Sequence, residues 1–197
     1  IPRLADALFF WDNDIKNGLS TDGLEKVAFF KGLGSVKEKI AREAKIASAL
    51  YDKYNIDAKK EDLDRAISLA KADLMSEMVY EFTELQGLMG GYYALQQGES
   101  KEVADAITEQ YLPEGEESKL PSTPLSAIVA MSIKLDTILA LFSIDQIPTG
   151  SRDPFALRRA VNGLLRITEK YGFEFDILSD LKELSFGYKT IDMQKLE

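Results

Sequence analysis

The chain has 197 residues, a net charge of −9, no cysteine and no histidine. That length suits one compact domain, burying about 70% of the surface its unfolded form exposes without a disulfide or metal staple. The lack of cysteine excludes disulfides, thiolate metal sites and cysteine nucleophiles and suits a reducing, cytoplasmic setting, while the acidic balance opposes non-specific binding of a polyanion.

No apolar run is expected to reach the roughly 20 residues that span a bilayer, so no membrane contact is expected. The start, Ile1-Pro-Arg-Leu-Ala-Asp6, lacks an initiator methionine and a signal-peptide pattern, and reads as a piece of a longer chain. Helices are expected throughout, with no alternating stretch that supports a sheet. Phe9, Phe10 and Trp11 suit packing at a domain edge, with base stacking as the alternative. Gly32-Leu-Gly34 reads as a tight turn, or as an anion-holding start to the next helix. In Ser35-Val-Lys-Glu38 the serine and glutamate can satisfy each other's backbone donors, a capping box opening a helix that carries Val36, Ile40, Ala44, Ala47, Leu50 and Tyr54 on one face.

From Leu63, the positions Ile67, Ala70, Leu74, Met78, Phe82, Leu85, Met89 and Tyr92 repeat by three and four, predicting one long helix or two joined by a bend within 87–91. Asp73, Glu77, Glu81 and Glu84 would line one edge of it. Carboxylate metal sites in bundles usually recruit histidine, so this stripe is expected to be solvated, to pair with Lys71, Arg158 or Arg159, or to meet a partner domain. Ser100 can cap a short helix bearing Val103, Ala106 and Ile107, and residues 113–124 read as an exposed loop.

Thr123-Pro124 is a cap followed by proline, and residues 125–142 are apolar nearly all round, marking a helix surrounded by others. Lys134 and Asp136 interrupt it; they are expected to be paired structural charges, with RNA contact by Lys134 as the alternative. Asp153-Pro154 predicts another capped start, placing Leu157, Ala160, Val161, Leu164, Ile167 and Thr168 on a packing face and Arg158, Arg159, Asn162 and Arg166 opposite. Four arginines and one aspartate fall within residues 148–166 of an otherwise acidic chain. Their cations either pair with carboxylates of the same domain or form a phosphate-binding face. After Gly172, residues 173–177 suggest an extended piece, residues 178–184 a weak helix, and residues 186–193 no firm period.

Asp153-Pro-Phe-Ala-Leu-Arg-Arg-Ala160, Lys134-Leu-Asp-Thr137 and Phe82-Thr-Glu-Leu-Gln-Gly-Leu-Met-Gly90 resemble, in order and approximate spacing, the β subunits of bacterial tetrameric glycyl-tRNA synthetases. The resemblance runs from Phe9-Phe-Trp-Asp12 through Gly32-Leu-Gly34, Lys71-Ala-Asp-Leu74 and Glu109-Gln-Tyr-Leu-Pro113 to Ile167. It implies an all-α, multi-helix HD-like domain over residues 1–172, with 173–197 a tail leading into the next domain. HD-type hydrolases hold a metal through histidines and aspartates, one of them in an Ala-Asp-(Lys/Arg)-Leu pattern. Here Ser132-Ile-Lys-Leu135 stands at that pattern, so the fold is expected without its metal-binding residues and without phosphohydrolase chemistry.

The resemblance further implies part of a glycine–tRNA ligase that joins glycine to its tRNA using ATP. ATP, magnesium and glycine activation would belong to a separate α subunit, so this fragment is expected to be non-catalytic and to need no cofactor. Glycine tRNA, the α subunit and the remaining β-subunit domains are the implied partners. Arg152, Arg158, Arg159 and Arg166 are then the candidate RNA-facing residues, their planar forks matching phosphate oxygens and guanine edges, with Lys134 as a further candidate. The competing reading is an assembly module whose arginine face docks on acidic protein surface.

Overall fold

A computed structural model describes residues 2–149, 153–185 and 188. Its elements are helix α1 (Pro2–Asn17), a hairpin of β1 (Ala28–Phe30) and β2 (Gly34–Ser35), then α2 (Val36–Tyr54), α3 (Lys60–Leu69), α4 (Glu77–Glu81), α5 (Leu88–Gln96), α6 (Lys101–Thr108), α7 (Pro124–Phe142), α8 (Leu157–Tyr171) and α9 (Ile177–Leu184). Short 3-10 turns at Ala72–Met75 and Thr83–Leu85 flank α4. The chain is therefore predominantly helical. The antiparallel hairpin corrects the expectation of no sheet, and Gly32 and Gly34 form its turn with φ of 89° and 82°, a region glycine enters without strain.

Helix α7 lies at the centre, against α2, α3, α6 and α8. Thr123 starts it by accepting a hydrogen bond from the Ser126 N–H at 3.1 Å, with Pro124 in the first turn. At 19 residues it is long and apolar enough to cross a membrane by length and composition, which corrects the sequence expectation. Within this fold its apolar surface is covered by neighbouring helices on nearly every side. The capping box at Ser35 and Glu38 forms as predicted, and Ser100 caps α6.

The long helix expected from Leu63 is instead broken into α3, α4, α5 and two 3-10 turns. Asp73 explains the break: its fully buried Oδ2 accepts the N–H of Gly87 at 2.6 Å and of Gly90 at 3.1 Å, folding the chain back on itself. Ser76 then caps α4, and Gly87, with φ of 84°, opens α5 within the predicted bend. The acidic stripe consequently does not exist. Asp73 is buried in a turn, while Glu77 and Glu81 are exposed at the two ends of α4 and Glu84 is exposed in the 3-10 turn that follows. Asp14 of α1 clamps the same region, accepting from the backbone of Glu77 and Met78 and from the Tyr93 hydroxyl at 2.7 Å. Trp11 packs on Tyr93 with ring centroids 5.4 Å apart, and Phe10 approaches Phe82, so those aromatics pack while Phe9 stays exposed.

One carboxylate, Asp136, is buried on α7. It accepts from Lys39 Nζ and Arg42 Nε, both at 2.7 Å, and from the Tyr188 hydroxyl at 2.6 Å. Lys39 also lies 3.0 Å from Glu43 Oε1. Lys134 does not share in this pairing, contrary to expectation. After Gly172, Phe173 stacks on Tyr54 with centroids 4.2 Å apart, Asp180 pairs with Lys53, and Leu181 enters the core, so residues 173–181 pack on the helical body. Of residues 186–193, only Tyr188 lies within the described residues.

Burial pushes the Asp136 carboxyl up, but Lys39, Arg42 and Tyr188 outweigh it and hold it below its usual value. Its stabilisation is therefore present above the unfolded-state value and lost as pH falls through the lower folded-state value. Asp136→Ala, which strands two cations, should cost about 3–5 kcal/mol in urea unfolding at neutral pH. The gap from the parent should shrink below about pH 4 as the parent's carboxylates protonate.

Candidate nucleic-acid interface

Asp153 caps α8, but from a distance. Its carboxylate accepts the N–H groups of Leu157 at 2.8 Å and Arg158 at 2.9 Å, while Pro154 and Phe155 form a turn and Ala156 takes φ of 55°. The helix thus begins at Leu157, three residues later than predicted. Leu157, Leu164 and Ile167 are buried as expected, whereas Val161 is 41% exposed, correcting its assignment to the packing face. Gly163 takes that role. A Cβ there would come within 3.0 Å of Lys134 Cε and 3.3 Å of Pro113 Cγ, so the absent side chain lets α8 sit close to α7 and to the loop between α6 and α7.

The five candidate cations fall into different environments. Arg158 and Arg159 are exposed, and with Asn162 they line a cleft of about 340 Å³ walled on its other side by Pro113, Gly115 and Glu116. Arg166, in the same cleft, donates from Nη1 to the Gly115 carbonyl at 2.7 Å and from Nη2 to the Ser118 carbonyl at 2.9 Å. Lys170 and the Tyr171 hydroxyl both donate to the Pro121 carbonyl. Together they staple the 113–122 loop to α8. Lys134 is buried and donates to the carbonyls of Tyr111 at 2.9 Å and Pro113 at 3.1 Å, and burial lowers its ammonium to about 8. Arg152 lies outside the described residues.

Of the candidates, Arg158 and Arg159 have the exposure that contact with a large ligand requires. They stand at the start of α8, beside the Asp153 carboxylate that takes the helix's first amides. Among the described residues, no group of three acidic side chains could hold a metal ion.

The sequence matches the glycyl-tRNA synthetase beta subunit family over residues 1–196. The chain belongs to that family. It is 52% identical, over 99% of its length, to the glycine–tRNA ligase beta subunit of Helicobacter pylori strain Shi470 and 43% identical, over 99%, to that of Streptococcus gordonii. The corresponding protein of a Janthinobacterium species is 49% identical over 84% of the chain. The chain spans 29% and 30% of the length of the first two relatives.

In this family member, sequence reasoning missed Lys39, Arg42 and Glu43. A signal was present: Lys39 and Glu43 fall between Val36, Ile46 and Leu50 on the buried face of α2, where charges require partners. Arg166→Ala should release the 113–122 loop, speeding its amide hydrogen exchange by the equivalent of about 1–3 kcal/mol while α7 stays protected. Asp153→Ala should destabilise the chain by about 1 kcal/mol in thermal or urea unfolding.

Proposed function

We propose that this chain is a helical, non-catalytic domain of a glycine–tRNA ligase beta subunit that supports tRNA recognition during ATP-dependent attachment of glycine to tRNA. The observation that carries the reading is the paired exposure of Arg158 and Arg159 at the start of α8, beside an open cleft, in a chain of net charge −9. A local basic site fits a domain whose overall charge repels a polyanion: attraction operates at short range, where the guanidinium forks reach phosphate oxygens. The partners in this reading are glycine tRNA, the α subunit and the remaining beta-subunit domains, in the cytoplasm. ATP and magnesium act at the α subunit.

Arg166 and Lys134 then act as supports, fixing the loop that forms the opposite wall of the cleft. A second reading, assembly, is favoured by a separate observation. Val161 and Leu165 of α8 join Phe142, Ile147, Ile177 and Leu181 along an apolar groove of about 590 Å³, and Leu4, Leu8 and Phe9 are exposed on α1. Such surfaces suit contact with other protein domains. The groove adjoins the arginine cleft, with Arg158 and Asn162 lining both.

The test is the double variant Arg158→Glu/Arg159→Glu in the complete α and β assembly. The KM for glycine tRNA should rise roughly tenfold or more, while ATP–pyrophosphate exchange with glycine stays at the parent level. An unchanged KM for tRNA contradicts the RNA-facing assignment, and lost co-purification with the α subunit would favour assembly by this face.

A further inference from the structure

A second concentration of cations lies inside the fold. Lys39, Lys71 and Lys134 line a cavity of about 420 Å³, with Arg159 also on its wall. Lys39 is matched by Asp136 and Glu43. Lys71 and Lys134 are not matched in this way. Lys71 donates to Gln110 Oε1 and sits 4.7 Å from the centre of the Tyr111 ring, while Lys134 donates to the Tyr111 and Pro113 carbonyls. Among the described residues neither forms an ion pair, although they are only 4% and 9% exposed.

Both ammonium groups therefore touch the same residue, Tyr111, and both are bonded only to neutral oxygens. Glu43, Asp73 and Asp136 act on Lys71 through space, and Glu114, also on the cavity wall, acts on Lys134, but among the described residues none of these carboxylates comes within ion-pair distance of either lysine. A buried ammonium has surrendered its hydration, and neutral carbonyls return only part of it. If the sole task were to satisfy those carbonyls, a neutral donor would do so without burying charge. Two such groups on one cavity wall form a preorganised site for a ligand carrying two negative charges. The volume lies within the range of about 300–1,000 Å³ typical of small-molecule sites, which leaves room beyond a phosphoryl group. Phe29 and Phe155 supply an apolar wall for that remainder.

We propose that this cavity binds a phosphate monoester, its dianionic phosphoryl group against Lys71 and Lys134, Arg159 nearby, and its organic part against Phe29 and Phe155. A backbone phosphodiester, with one charge, would match only half of this site. The monoester comes from a free mononucleotide or from the terminal phosphate of an RNA. The inference stands apart from the tRNA reading, with which it shares Arg159 and the support that Lys134 gives to the cleft wall.

Calorimetric titration of this chain with inorganic phosphate, AMP, and a short RNA with and without a terminal phosphate tests the site. AMP or the phosphorylated RNA should saturate it at submillimolar concentration and bind more tightly than inorganic phosphate, and the unphosphorylated RNA should not compete. Which of the two binds identifies the source. Lys71→Met and Lys134→Met should each weaken binding at least tenfold, yet melt at or above the parent temperature without ligand, because each removes an unmatched buried charge. Should either fail to fold, Ala160→Met, which extends a side chain from α8 into the cavity and leaves the lysines in the sequence, should abolish binding. The proposal is overturned by the absence of saturable binding of any phosphate, by AMP and phosphorylated RNA binding no better than inorganic phosphate, or by binding that the folded variants leave unchanged.

Discussion

A single buried carboxylate on a largely apolar helix organises the molecule. Asp136 sits on α7, and its oxygens are taken by Lys39, Arg42 and Tyr188, so one side chain joins the central helix to α2 and to a residue near the end of the chain. Apolar packing alone would tolerate sliding and rotation of α2 along α7, because dispersion contacts are numerous and non-directional. Three charge-assisted or hydroxyl hydrogen bonds at 2.6–2.7 Å restrict both. The pairing stabilises only because every buried partner is present; removing one leaves charge stranded in a medium that solvates it poorly.

With α7 placed, α8 is placed by contact rather than by charge. Gly163 allows the close approach, Leu157, Leu164 and Ile167 fill the interface, and Arg166, Lys170 and Tyr171 tie down the loop that follows α6. Three stripes of one helix thus have three tasks. The outward stripe, beginning at Arg158 and Arg159, is held rigidly although it is itself exposed. Rigid presentation matters for a guanidinium, since a preorganised fork gives up less conformational freedom when it meets a phosphate.

The parts of this arrangement legible in the sequence are those decided locally. Ser35 with Glu38, Ser100, and Thr123 with Pro124 start helices by bonds spanning three residues, and all three starts were readable. The all-round apolarity of residues 125–142 likewise announced a central helix. What stayed hidden depends on distant partners. The break after α3 is set by Asp73 reaching Gly87 and Gly90, and helical periodicity continues through it because those same apolar residues still face a core. Arg166 and Lys134 looked like candidates for RNA because their carbonyl partners lie 48–51 and 21–23 positions away. A cation bound to backbone carries no complementary charge in the sequence to reveal its engagement. Val161 and Gly163 exchanged places for a related reason: the packing face is rotated toward the loop that Arg166 holds.

The most direct test of the central claim is equilibrium binding of this chain to glycine tRNA and to an unrelated tRNA across a salt series, with Arg158→Glu/Arg159→Glu measured in parallel. The account predicts binding that weakens as salt rises, through release of condensed counterions, and that disappears in the variant; tighter binding of glycine tRNA would make the face part of recognition. A folded chain that binds neither RNA at low salt, or a variant that binds as the parent does, would contradict the claim that the start of α8 faces RNA.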